Sequence, residues 1–182
     1  MNKAFFLDRD GTINVDYNFV HRPEEWRWCE GVIEALQWIR DHHFKIIVVT
    51  NQSGIARGRY TEKQVQALHR WVDQQLLEHT VSIDDWYYAP HHPEYDPDQR
   101  YVPEDRKPGT GMFQKAAQKH RIDFGQSYMA GDKLSDLKPA VDLGITPFFI
   151  KSRHEPHQDT EWLRQHGIEK YQSLHAVTKM LS

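Results

Sequence analysis

The chain has 182 residues, 38% of them apolar and 27% charged, the size and balance of one compact, rather polar globular domain spanning residues 1–182. A net charge of −3 argues against a general nucleic-acid binder, and no apolar run is long enough to cross a bilayer. A lone cysteine, Cys29, excludes an internal disulfide framework and suits a reducing, cytoplasmic setting.

In chain order, Lys3–Asp8 is a short apolar strand, followed by an irregular stretch and a helix over Gly31–His43. Lys45–Thr50 is a continuous β-branched run, the pattern of a strand buried on both faces. Thr61, with Gln64 three residues on, opens the next helix as a capping box, and Val65, Leu68, Val72 and Leu76 form its inner face. Trp86–Ala89 reads as the third strand and Thr110–His120 as the third helix. Ser127–Ala130 is the fourth strand, Leu134–Leu143 a helix closed by Gly144, and Ile145–Ile150 the fifth strand. The tail from Lys151 carries two weaker helical patterns, around Trp162 and Val177.

Alternating strands and helices imply an α/β fold, a three-layer Rossmann-like parallel sheet covered by helices on both faces. Ligands of such sheets bind beyond the carboxyl ends of the strands. Four polar clusters arrive there: Asp8-Arg9-Asp10-Gly11-Thr12, Thr50-Asn51-Gln52-Ser53-Gly54, Arg106-Lys107-Pro108 and Gly131-Asp132-Lys133.

Asp8 and Asp10, two apart in an extended chain, are expected to face one site, joined by Asp132. Three carboxylates around one point need a cation, and hard oxygen ligands suit Mg²⁺. Thr50, Asn51, Lys107 and Lys133 supply donors for phosphate oxygens. An aspartate can attack phosphorus to form an acyl phosphate while a neighbouring acid, Asp10, serves the leaving alcohol and then water. Each cluster alone has a bland reading: Asp10-Gly11 as a turn, Thr50-Asn51 as a loop opener, Arg106-Lys107 as a solvated pair, Asp136 as a helix cap or exposed residue. Their joint arrival at strand ends, in order, has none.

In that order the clusters resemble the haloacid dehalogenase (HAD) superfamily of phosphatases. LDRDGTINVD, VVTNQSGIARG, YYAPHHPE, RKP and YMAGDKLSD resemble one branch more closely, the D-glycero-D-manno-heptose 1,7-bisphosphate 7-phosphatases, related to the histidinol-phosphate phosphatases. The resemblance covers residues 4 to 150. It implies Asp8 as nucleophile and Asp10 as general acid/base. Mg²⁺ then falls to Asp8, the Asp10 backbone carbonyl and Asp132, and the phosphoryl group to Thr50 and Lys107. It further implies a phosphorylated-sugar pocket lined by Asp16, Tyr17, Asn18, Phe19, Asn51, Gln52 and Ser53, with recognition by Arg57, Arg106 and Lys133. The two intervals where relatives carry caps are about twenty residues each, loops rather than domains. A minimal-cap monomer is expected, with specificity in loops Ile13–Trp28, Gln52–Tyr60 and Pro90–Pro108.

The branch usually holds a zinc in the last loop with three cysteines and a histidine. Here those positions are Ala89, His91, Pro103 and Asp105, so a loop without zinc is expected, stiffened by Pro90, Pro93, Pro97, Pro103 and Pro108 with packing from Tyr95 and Tyr101. Histidinol-phosphate phosphatase is the alternative activity. A phospho-accepting signalling domain is the non-enzyme alternative, opposed by Asp10.

Overall fold

The computed structural model of the protein describes residues 1–96, 98–153 and 160–182. Six parallel strands form one open sheet: β1 (Ala4–Leu7), β2 (Lys45–Asn51), β3 (Asp85–Ala89), β4 (Tyr128–Gly131), β5 (Thr146–Ile150) and β6 (Lys170–Tyr171). Their spatial order is β3-β2-β1-β4-β5-β6, so the strand order reverses beside β1. At that switch Leu7 lies between Val48 and Ala130, and Asp8 N–H donates to the Ala130 carbonyl at 3.0 Å. Asp8 is thereby anchored between two strand ends.

The helices are α1 (Val32–Asp41), α2 (Glu62–Leu77), α3 (Gly111–His120), α4 (Leu134–Asp142), α5 (Thr160–Gln165) and α6 (Leu174–Leu181). Strand side chains alternate between faces. Phe5 and Leu7 pack with Leu36, Leu68, Val72 and Val177 of α1, α2 and α6. Ala4 and Phe6 face the other way, onto Met112, Phe113 and Ala116 of α3 and Ala140 of α4. The three-layer expectation holds. The Thr61–Gln64 capping box is present, and Val65, Leu68, Val72 and Leu76 are all buried.

The tail adds what its helical patterns did not announce. Between α5 and α6 the two residues of β6 pair with Phe149 and Ile150 and extend the sheet. No helix among the described residues is long and apolar enough to cross a membrane.

The loop Ala89–Asp105 is held by charged contacts; Pro97, one of the prolines expected to stiffen it, lies outside the described residues. His91 Nδ1 meets Asp96 Oδ2 at 2.6 Å, and the Asp96 carboxylate, 3% exposed, also accepts from the backbone N–H groups of Asp98 and Arg100. Arg57 lies 3.8 Å over the Tyr95 ring, and Asp105 pairs with Lys115 at 2.6 Å. Asp96→Ala should therefore loosen this loop alone. Hydrogen exchange should show faster exchange across 91–105 with α1 and β2 unchanged, and uniform behaviour across the chain would count against a local clip.

Candidate active site

The chain leaves β1 at Leu7 and turns at once. The Arg9 carbonyl accepts from the N–H groups of Thr12, Ile13 and Asn14. The turn requires Gly11 at φ +87°, where a Cβ would overlap the Asp132 carboxylate. This turn, not the alternation of an extended chain, sets the direction of Asp10, since the extended backbone ends before Arg9. Asp8 and Asp10 both line one small pocket of about 40 Å³ with Thr50, Lys107, Lys133 and Asp136. The Asp10 carboxylate, however, turns to Arg9 rather than into the carboxylate cluster. Its Oδ1 accepts from Arg9 Nη2 (2.9 Å) and Asn14 (3.0 Å), its Oδ2 from Arg9 Nε (3.1 Å) and Gln52 (3.0 Å). Burial penalises that charge, but Arg9, Asn14 and Gln52 outweigh it and hold Asp10 below the usual carboxylate range.

The third carboxylate is instead Asp136. One oxygen each of Asp8, Asp132 and Asp136 lies within 4.8 Å of the others, all three residues buried. Asp136 caps α4 through the Lys133 N–H at 3.0 Å, as a helix-cap reading has it, but it is not exposed. Its other oxygen meets Lys107 Nζ at 2.5 Å, and that ammonium also donates to Asp8 Oδ1 (2.8 Å) and the Val49 carbonyl (2.7 Å). Burial opposes the Lys107 charge, yet Asp136 and Asp8 hold its pKa above the ordinary lysine value.

Asp132 sits at the back of this cluster. Burial, opposed by Lys133 and reinforced by Asp8 and Asp136, pushes its carboxyl up to about 8. A carboxylate whose charge is opposed by burial and by like-charged neighbours is a fit for a cation, and an all-oxygen donor set fits Mg²⁺. Each Asp136 oxygen already accepts a hydrogen bond, from Lys107 or from the Lys133 N–H. That leaves Asp8 and Asp132 the better-placed pair for the ion, with Asp136 within reach as a third ligand. Ser152, from the tail, hydrogen-bonds Asp132. Neither Ser152 nor Asp136 was marked as a site residue by the sequence; the second aspartate of GDKLSD was the available signal.

Asn51 and Gln52 turn out to be braces. The Asn51 amide donates to the Lys107 carbonyl (3.0 Å) and accepts from the Lys107 N–H (3.1 Å), fixing the third loop onto β2. Gln52 Nε2 bridges Asp10 and Thr50, while its Oε1 accepts from Tyr60. Buried Thr50 receives that bond at its hydroxyl. Ser53 is seen chiefly through its carbonyl, which accepts from Arg57 N–H.

Beside the pocket, Lys133 Nζ lies 3.7 Å from Asp16, and four carboxylates around Lys133 outweigh burial to raise its pKa. Asp16 also accepts from the Asn18 N–H. Tyr17 is half exposed with Arg153 of the tail over its ring at 4.8 Å. Phe19 carries Arg59 at 4.3 Å and Arg57 at 5.9 Å. Arg106 Nη1 is buried with no hydrogen-bond partner among the described residues. Burial and the nearby Arg57, against Tyr101, lower the Arg106 pKa; burial, Arg106 and Arg57 likewise lower that of His92. Arg57 and Arg106 thus bring positive charge close together here. A larger cavity of about 610 Å³, lined in part by Gly11, Thr12, Cys29, Ser152 and His175, lies on the tail side of Asp132. Among the metal-capable groups of the described residues, none falls in the loop 89–105.

Comparison with known proteins agrees with this geometry. A family model described as polynucleotide kinase 3 phosphatase matches residues 3–169. The D-glycero-beta-D-manno-heptose-1,7-bisphosphate 7-phosphatase of Escherichia coli K12 is 47% identical over 143 residues, 78% of this chain and 75% of that protein. The chain belongs to this heptose-bisphosphate phosphatase family. The enzyme of the same name from Haemophilus ducreyi is 46% identical over 79% of each chain. Among solved structures, the D,D-heptose 1,7-bisphosphate phosphatase of B. bronchiseptica, complexed with magnesium and phosphate, superposes with a TM-score of 0.82 at 29% identity, covering 98% of this chain and 97% of that one. The corresponding enzyme of Burkholderia thailandensis gives 0.67 at 25% identity. As a member of the family the chain is a phosphoric monoester hydrolase.

The position of Gly11 yields a direct check. Gly11→Ala should displace the Asp132 carboxylate and weaken Mg²⁺ binding at least tenfold, about 1.4 kcal/mol, measured by calorimetric titration; unchanged affinity would show that the turn tolerates a methyl group.

Proposed function

We propose that the protein removes the 7-phosphate of D-glycero-β-D-manno-heptose 1,7-bisphosphate through an aspartyl-phosphate on Asp8. The observation that carries the chemistry is the Lys107 ammonium in contact with Asp8 at the wall of a small buried pocket. The substrate class rests on relatives of 46–47% identity that bear this name.

In this mechanism Asp10, held ionised in the free site by Arg9, Asn14 and Gln52, takes up a proton from solvent as the substrate binds. An Asp8 oxygen then attacks phosphorus and the bond from phosphorus to the sugar oxygen breaks, the leaving oxygen taking that proton. Water then attacks the phosphorus, giving its proton to Asp10, and the bond to Asp8 breaks to release phosphate. Lys107 and the Thr50 hydroxyl stabilise charge on the phosphoryl oxygens. Asp8, Asp132 and the Asp10 carbonyl would hold Mg²⁺, which would supply the screening that lets an anionic nucleophile approach an anionic ester. The rest of the substrate lies toward Asp16–Phe19, with the second phosphate answering the concentrated charge of Arg57 and Arg106. The single cysteine suits a cytoplasmic enzyme, and a monomer is the proposed state. The net negative charge favours a small sugar phosphate over nucleic acid as partner.

Asp8→Asn should abolish turnover, and Asp10→Asn should lower kcat by roughly 10²–10⁴-fold. Near-normal phosphate release by Asp8→Asn would sink the mechanism. Activity should vanish in EDTA and return with added Mg²⁺; persistent hydrolysis by demetallated protein would show the carboxylate cluster misread. Zinc is not required in this reading, so metal analysis of protein purified without chelator should find none tightly bound.

Lys107→Ala should damage kcat more than KM, whereas Arg106→Ala should raise KM for the bisphosphate and leave small phosphate esters little affected. The reverse pattern would exchange their roles. Comparing kcat/KM on both heptose anomers and on histidinol phosphate tests the substrate itself: preference for histidinol phosphate would replace this reading with the alternative.

A further inference from the structure

Arg9 stands between the two aspartates of the first cluster, and its side chain is fully buried. Its guanidinium forks onto Asp10, donates to the Val20 carbonyl at 2.7 Å and lies 3.4 Å from His69 Nε2. His69 is itself buried and stacks on Trp86 with ring centres 4.0 Å apart, and Trp86 donates to Asp73. Burial and the Arg9 charge push the His69 pKa down to about 3, so the ring is neutral and its Nε2 can accept from Arg9. Taking a guanidinium wholly out of water is costly unless its donors are met. Here His69 of α2 and the Val20 carbonyl of the first loop meet donors of the guanidinium, and its Nε–Nη2 edge is aimed at one carboxylate.

Asp10 is the only member of this chain of contacts on the pocket wall; its side chain keeps 15% exposure while that of Arg9 keeps none. Arg9 therefore does not line the phosphoryl pocket and reaches it only through Asp10. Two parallel bonds from a planar fork fix the plane of a carboxylate as well as its position, which a lysine cannot do. Asn14 and Gln52 add one bond each.

We propose that Arg9 is a positioning residue, seated by His69, that holds the Asp10 carboxylate in the orientation needed at the leaving oxygen and the attacking water. This rests on the reading of Asp10 as acid/base. It differs from a purely structural buried ion pair in one consequence: removing the fork costs nothing further once Asp10 can no longer move a proton.

The test is a double-mutant cycle of Arg9→Lys with Asp10→Asn, reading kcat and KM on the heptose bisphosphate and on p-nitrophenyl phosphate, whose leaving group needs no proton. Arg9→Lys alone should lower kcat on the sugar phosphate by about 10–100-fold, the range for lost orienting partners, with KM changed by less than about twofold. In the Asp10→Asn background the same substitution should change kcat by less than about twofold, since coupled residues are not additive. The loss should be smaller on p-nitrophenyl phosphate. An equal loss in both backgrounds, or no loss in either, would overturn the proposal. Where Arg9→Lys does not fold by circular dichroism, His69→Phe removes only the seat and carries the same comparison, with a smaller loss expected. Full activity in Asp10→Asn alone would overturn the acid/base reading, and this inference with it, which separates the two failures.

Discussion

The structure depends on one buried ammonium. Lys107 Nζ lies between Asp8 and Asp136, with the Val49 carbonyl as its third acceptor, and all three side chains are almost wholly enclosed. Two carboxylates at the mouth of a central strand repel each other and lose hydration. A cation between them offsets both costs, and removing one partner of such a group typically costs about 3–5 kcal/mol because a charge is left unanswered. The other site elements serve to put Lys107 there. Asn51 pairs with the backbone of Lys107 as a neighbouring strand would, tying a long loop to β2. Asp136 reaches back from the first turn of α4 because its second oxygen caps that helix. Gly131 permits this approach, since a Cβ there would overlap the Asp136 side chain.

The strands and helices were legible in the sequence to within a residue or two, because the buried β-branched run of β2, the capping box of α2 and the helical spacing of α1 and α3 are local signals. So was the list of polar clusters, since an open parallel sheet delivers its ligand residues at strand ends. What the sequence did not carry was side-chain direction after the chain turns. Asp10 was placed by the alternation of an extended chain, but the turn on the Arg9 carbonyl rotates it onto Arg9. Asp136 looked like an ordinary helix residue because its partner, Lys107, is 29 positions away. Ser152 and β6 belong to a tail whose part in the site exists only through long-range contacts.

The third loop is ordered by its own charged contacts. A buried Asp96 accepts from His91 and two backbone N–H groups, and an arginine is laid over Tyr95. That arginine, Arg57, also approaches Phe19, so one cation touches two of the three loops around the pocket. If the proposed substrate reading holds, loop order and charge recognition share Arg57, and substitutions there will affect both.

The central claim is a division of labour among the three clustered carboxylates: Asp132 with Asp8 for the cation, Asp136 for Lys107. Calorimetric titration of Mg²⁺ into Asp132→Asn and Asp136→Asn, both checked for folding, separates the two roles. The account predicts that Asp132→Asn loses measurable Mg²⁺ binding, while Asp136→Asn still binds the ion within about tenfold of the parent, about 1.4 kcal/mol. Retained binding in Asp132→Asn together with its loss in Asp136→Asn would contradict it.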